Sequence, residues 1–164
     1  MKKSGGIIIG VLIVIVVLAQ VFLAGLRFEK LEYKRVVDGD TFWVNNLRDG
    51  SEWKVRLWGV NAPDTKECYF KEANGILERE LSGKKITYER YGYDGYGRIL
   101  ARVMVEGKEL EEILVATGAA KVYDAIEIHD ELRPSKEYVE GLKKIEEKAK
   151  KEKLGVWSVS CARI

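Results

Sequence analysis

The 164-residue sequence has one histidine, two cysteines, two prolines and a single glutamine. One histidine, His129, excludes zinc sites built on paired histidines and most His-centred metal nucleases. Two cysteines alone cannot form a zinc ribbon or an iron–sulfur site. Repeats and low-complexity linkers are absent. An excess of one charge is also missing, since 28 Lys and Arg face 26 Asp and Glu. Lys2 and Lys3 are the only charged side chains before Arg27, so residues 27–164 carry 26 basic and 26 acidic groups. That balance excludes a globally basic nucleic-acid coat. Any polyanion has to be met by a local patch. The remaining composition is globular, 46% hydrophobic and 33% charged. It suits one domain able to bury its own core.

One long apolar run stands apart. Ile7 to Leu26 reads IIIGVLIVIVVLAQVFLAGL, with Gln20 its one strongly polar side chain. As a helix these residues span roughly 30 Å, the thickness of a bilayer core. Residues 1–6 then form a cytoplasmic N-terminus and 7–26 a transmembrane anchor. Residues 27–164 form the domain outside, by the positive-inside rule. A signal segment cleaved after Ala19 is the competing reading and would give a secreted protein.

The chain beyond residue 30 alternates as strands do at 31–37, 40–47 and 52–60. An amphipathic helix follows at 69–82, then strands at 84–91 and 98–105. A helix at 108–117 closes at Gly118, and a long one runs from Pro134 to about Lys153. The pattern predicts an α+β fold, a small five-stranded Greek-key barrel with about three helices.

Three polar clusters carry the chemistry. They are Asp38-Gly39-Asp40-Thr41, Arg56 with Gly59-Val60-Asn61-Ala62-Pro63-Asp64-Thr65, and Asp94-Gly95-Tyr96-Gly97-Arg98. Singly, each reads as an ordinary turn or surface group. In this order and spacing, with Ala120-Lys121-Val122 and the ending AKKEKLGVW at 149–157, they resemble the staphylococcal nuclease (thermonuclease) family.

The resemblance implies an OB-fold barrel and Ca²⁺-dependent hydrolysis of phosphodiester bonds in DNA, RNA or both. It places Arg56 and Arg98 where the family has its two catalytic arginines. Guanidinium groups suit a phosphate, offering planar donor forks that stay charged. One calcium ion is implied at Asp40, Asn61 and the backbone carbonyl of Ala62, all hard oxygen donors. Asp64 occupies the position of the glutamate that activates or positions water. Tyr96 and Tyr123 match positions beside the nucleotide base. Asn61 stands where an aspartate is usual, Asp64 is one methylene short, and Gly95 replaces a usual cation. In the implied barrel the loop with Cys68 and the tail with Cys161 can approach, allowing a disulfide. Two unpaired thiols are the alternative.

Other readings remain. Pro63-Asp64 with Glu106-Gly107-Lys108 mimics a different nuclease metal motif. A membrane-tethered, non-catalytic OB-fold module binding nucleic acid or protein is the stronger rival. The sequence implies no particular protein partner. Trp43, Trp53, Trp58 and Trp157 read as core or rim.

Overall fold

The computed structural model describes residue 15 and residues 29–47, 49–123 and 132–161. The apolar segment 7–26 lies outside the described residues except Ile15, as does His129. No helix among the described residues is long and apolar enough to cross a membrane.

Five strands close the barrel: β1 (Glu29–Asp38), β2 (Thr41–Asn46), β3 (Glu52–Leu57), β5 (Ile86–Tyr93) and β6 (Ile99–Val105). The two-residue β4 (Val60–Asn61) lies between β3 and β5, and β7 (Lys108–Glu109) extends the sheet beyond β6. The sheet order is β3-β2-β1-β5-β6-β7, and parallel pairing of β3 with β6 completes the closure. Its register sets Val55 opposite Ile99 and Arg56 opposite Leu100.

Strand alternation builds the core. Phe42, Val44 and Val55 are fully buried, as are Ile86, Ala101 and Val103. Helix α1 (Phe70–Leu81) covers the barrel with Ala73, Leu77 and Leu81. Helix α2 (Leu110–Ala116) adds Leu110, Leu114 and Val115. Helix α3 (Lys136–Lys151) packs against α2 and contributes Leu142 and Ala149.

Three boundaries differ from the sequence expectation. The third strand stops at Leu57 because Gly59 turns the chain at φ 78. Beyond that turn, Val60 and Asn61 pair with Val122 and Lys121 of β8 (Lys121–Val122). The expected helix at 108–117 begins as strand β7 and turns helical only at Leu110. The last helix starts at Lys136, not Pro134. Ser135 caps it, its side chain accepting from the Tyr138 N–H at 3.2 Å.

A glycine contact ties the tail to the barrel. Gly118 and Gly155 pass so closely that a Cβ on Gly118 would lie 2.4 Å from the Leu154 carbonyl oxygen. The Val156 N–H donates to the Gly118 carbonyl at 3.0 Å.

Candidate active site

All eight residues expected at the site line one cleft of about 400 Å³: Asp40, Arg56, Asn61, Ala62, Asp64, Tyr96, Arg98 and Tyr123. Four segments bring them together: the β1–β2 turn, the end of β3 with the stretch leaving it, the β5–β6 turn, and the residue after β8. Glu106 and Lys108 do not line it. The Pro-Asp…Glu-x-Lys reading therefore has no common site here.

The Asp38-Gly39-Asp40 turn is shaped by close packing. A Cβ at Gly39 would sit 2.7 Å from the Ala62 Cβ and 2.9 Å from the Ala73 Cβ. Only glycine lets the turn press against both the site loop and α1. This holds Asp40 beneath the cleft, 5% exposed. Its Oδ2 accepts from the Ala62 N–H at 2.7 Å, and its Oδ1 from the Thr41 hydroxyl at 2.9 Å. Burial pushes the Asp40 carboxyl up to about 6, against the opposing pull of Arg56.

Arg56 is 8% exposed and has four oxygen partners, three hydrogen-bond acceptors and one ion pair. Its Nε lies 3.1 Å from Asp40 Oδ1. Nη1 donates to the carbonyls of Leu57 at 2.6 Å and Val60 at 2.7 Å. Nη2 donates to Asn61 Oδ1 at 2.9 Å. The guanidinium thus staples the turn that ends β3. Its planar fork matches four fixed oxygens, which a lysine could not do.

Arg98 is built differently. Its Nε donates to Asp94 Oδ2 at 2.5 Å, and its terminal nitrogens have no hydrogen-bond partner among the described residues. Asp94 also accepts from the backbone N–H groups of Tyr96 and Arg98, each at 2.9 Å. Burial opposes the charge on Asp94. The bonds from Arg98 and Tyr96 outweigh it and hold the carboxyl below its ordinary value. Asp94 therefore fixes a partly buried cation in the wall of the cleft. Asp94 is a functional residue beyond those expected from the sequence, although its place four residues before Arg98 is a usable signal. Asp38, which accepts from the Asp40 N–H at 3.2 Å, is a second such residue.

Asp64 is exposed at the cleft edge, and its carboxylate has no hydrogen-bond partner among the described residues. Tyr96 is 88% exposed, with the Arg98 guanidinium 5.4 Å from its ring centroid. Tyr123 is half-buried, its N–H donating to the Gly59 carbonyl at 2.9 Å. Cys68 and Cys161 are joined by a disulfide, with Cα atoms 5.4 Å apart. The bridge lies against a second pocket that shares Asn61, Ala62 and Pro63 with the cleft.

No group of three or more His, Cys, Asp or Glu able to hold a metal occurs among the described residues. The donors at the cleft floor are instead carboxylate, amide and carbonyl oxygens, the ligand chemistry of a hard cation. A buried carboxylate whose charge is opposed by desolvation gains from such an ion. The Asp40 carboxylate, the Asn61 amide and the Ala62 carbonyl are oxygens of that class; Asn61 Oδ1 already accepts from Arg56 Nη2, and the Ala62 carbonyl accepts from Asn61 Nδ2 at 3.4 Å.

The family model described as "Staphylococcal nuclease homologue" matches residues 54–159. A thermonuclease of Staphylococcus hyicus is 33% identical over 134 residues, covering 76% of this chain and 73% of its own. An uncharacterised endonuclease of Escherichia coli is 30% identical over 125 residues, covering 76% and 74%. The SPbeta prophage-derived endonuclease YokF of Bacillus subtilis is 36% identical over 133 residues, covering 76% of this chain and 42% of its own. A matched region running from β3 through the tail, together with these relatives, makes the chain a member of the staphylococcal nuclease family.

Proposed function

We propose that the protein is a calcium-dependent endonuclease cleaving phosphodiester bonds in DNA, RNA or both. The observation that carries the reading is Arg98, held at Nε by Asp94 in a cleft that it lines together with Asp40, Asn61 and Asp64. A diester phosphate entering there meets a preorganised donor fork. Arg98 stabilises the charge that builds on the phosphoryl oxygens and on the leaving oxygen. Asp64 orients the attacking water and accepts its proton. Arg56 keeps Asp40 and Asn61 in place and lends positive charge to the cleft floor. Tyr96 and Tyr123 flank a base. Asp40, Asn61 and the Ala62 carbonyl would hold the calcium ion, whose positive charge would offset the negative charge of the phosphate.

The test is cleavage of a circular single-stranded DNA by the full-length chain, because a circle is opened only by internal scission. Cleavage with Ca²⁺, abolished by a chelator, is the expected result. Binding without cleavage would favour the rival non-catalytic module. That rival draws on Asn61, Asp64 and Gly95, and on Arg56 already having four protein oxygen partners.

The same proposal places the domain outside the cell membrane, anchored by residues 7–26. Lys2 and Lys3 before that run support this orientation. Protease added to intact cells is expected to remove the domain and leave a short membrane-bound stub. Full protection until lysis would reverse the orientation. Release of the domain with a new terminus near Gln20 would show a cleaved signal.

A further inference from the structure

The outer face of β2 and β3 carries a feature that the cleft does not use. Phe42 and Val44 point into the core, so Trp43 between them points out. Trp43 lies opposite Arg35 on β1 and opposite Lys54 on β3. Both cations close on its ring, the Arg35 guanidinium at 5.3 Å and the Lys54 ammonium at 5.1 Å from the centroid. A groove of about 290 Å³ runs from this row to Tyr93 and Tyr96. Tyr93 is 55% exposed, and Arg90 lies 5.6 Å from its ring centroid. The acid in the groove, Glu52, is paired with Lys34.

The groove is continuous with the cleft in two ways. Tyr96 lines both. Thr41 pairs with Arg56 in the cleft, and two residues along the same strands Trp43 pairs with Lys54 in the groove. Two residues of strand advance about 7 Å on the same face. That is the scale of one nucleotide of an extended single strand.

A cation–aromatic row on a barrel has a plain structural use, since each exposed contact adds a little stability. That use does not account for three further facts. Tyr93 and Tyr96 stand exposed in the same groove, Lys54 lines it beside them, and it opens onto the cleft. Rings alternating with cations are the surface that single-stranded nucleic acid recognises: bases stack on the rings while phosphates meet the cations.

We propose that this groove, formed by Trp43, Lys54, Tyr93 and Tyr96 with Arg35 at its edge, is a subsite that holds the single-stranded flank of a polynucleotide substrate. The proposal rests on the nuclease reading for what occupies the cleft. It assigns long, unpaired strands as the preferred substrate. Selection comes from stacking and is therefore tolerant of sequence. Duplex is disfavoured because its bases are not free to stack on protein rings.

The test separates binding in the groove from chemistry in the cleft. The full-length chain is titrated, with chelator present, against a fluorescein-labelled single-stranded DNA of about 12 nucleotides. Cleavage of a dinucleotide, too short to reach the groove, is measured separately with Ca²⁺. Trp43→Ala and Tyr93→Ala are each expected to weaken oligonucleotide binding about tenfold, the scale of one lost stacking contact. Lys54→Ala is expected to flatten the salt dependence of binding. All three variants should leave dinucleotide cleavage unchanged, and that activity also certifies the fold. Tyr93 and Lys54 are surface positions and test the groove even where Trp43→Ala fails to fold. Equal oligonucleotide affinity in wild type and folded variants overturns the subsite, as does tighter binding of duplex than of single strand. Absence of dinucleotide cleavage in the wild type counts against the nuclease reading, while the binding titration still decides the groove.

Discussion

The two arginines of the cleft should separate cleanly when each is replaced by alanine. Arg56→Ala removes the partner of a carboxylate that is 5% exposed and strips donors from the Leu57 and Val60 carbonyls. Breaking a buried ion pair from one side costs about 3–5 kcal/mol, because the other charge stays buried and unpaired. Unfolding entropy near 2.1 cal/mol/K per residue gives roughly 0.3 kcal/mol/K for a domain of this size. The melting midpoint of Arg56→Ala is thus expected to fall by about 10–17 °C. Arg98→Ala loses only a partly exposed pair with Asp94, worth at most about 1 kcal/mol, or a few degrees. Its rate of circular-DNA cleavage should nevertheless drop on the order of 100-fold or more, the cost of removing a transition-state charge stabiliser. Arg56→Ala should lose a comparable rate below its own midpoint, because Asn61 and Asp40 lose their common anchor. Circular dichroism melts and initial cleavage rates measured on the same samples provide both numbers. An unchanged midpoint in Arg56→Ala would refute the stapling role. An unchanged rate in folded Arg98→Ala would refute the catalytic assignment.

Three further outcomes are expected. Asn61→Asp restores a negative charge at the cleft floor, so half-maximal activity should need less Ca²⁺; an identical requirement would remove Asn61 from the ligand set. Cys161→Ser opens a loop with a sequence separation of 93, worth about 4–5 kcal/mol on the chain-entropy model; melts that match wild type under non-reducing conditions would count against it. Glu111 is fully buried, and desolvation raises its pKa well above the ordinary carboxyl value. Its folded form holds a proton longer than its unfolded form, so its contribution to stability is present at acid pH and is lost as pH rises from about 4.5 through the folded value. Glu111→Gln can still accept from the Val103 N–H, and should raise the melting midpoint more at pH 8 than at pH 5. An equal shift at both pH values would show that Glu111 does not titrate in that range.

The residues of the cleft were legible in the sequence because their chemistry is local. Asp38-Gly39-Asp40 and Asp94-Gly95-Tyr96-Gly97-Arg98 are turns whose acids cap nearby N–H groups, and turn chemistry is written in a few adjacent residues. Long amphipathic helices and alternating strands were legible for the same reason. The break at Trp58-Gly59 was not. The run EWKVRLWGV alternates through it, and distant contacts join Gly59 and Arg56 in favouring the turn. Trp58 stacks on Tyr91 with centroids 3.9 Å apart and donates from Nε1 to the Leu132 carbonyl at 2.7 Å. The β4–β8 pairing that follows joins residues some 60 positions apart. Arg56 was read as reaching for a phosphate, and nothing local to it announces four protein oxygen partners.

The parallel pairing of β3 with β6 has a kinetic consequence. Arg56 sits on the first of these strands, and Arg98 immediately precedes the second. Until the strands meet, the two guanidinium groups belong to separate parts of a fluctuating chain. Such non-local pairing comes late and slowly, because loop-closure entropy is lost before any contact offsets it. The contact that seals the hydrophobic interior is also the one that brings the cations together. Recovery of catalysis during refolding should therefore follow the same time course as burial of the interior, with no earlier species able to cut.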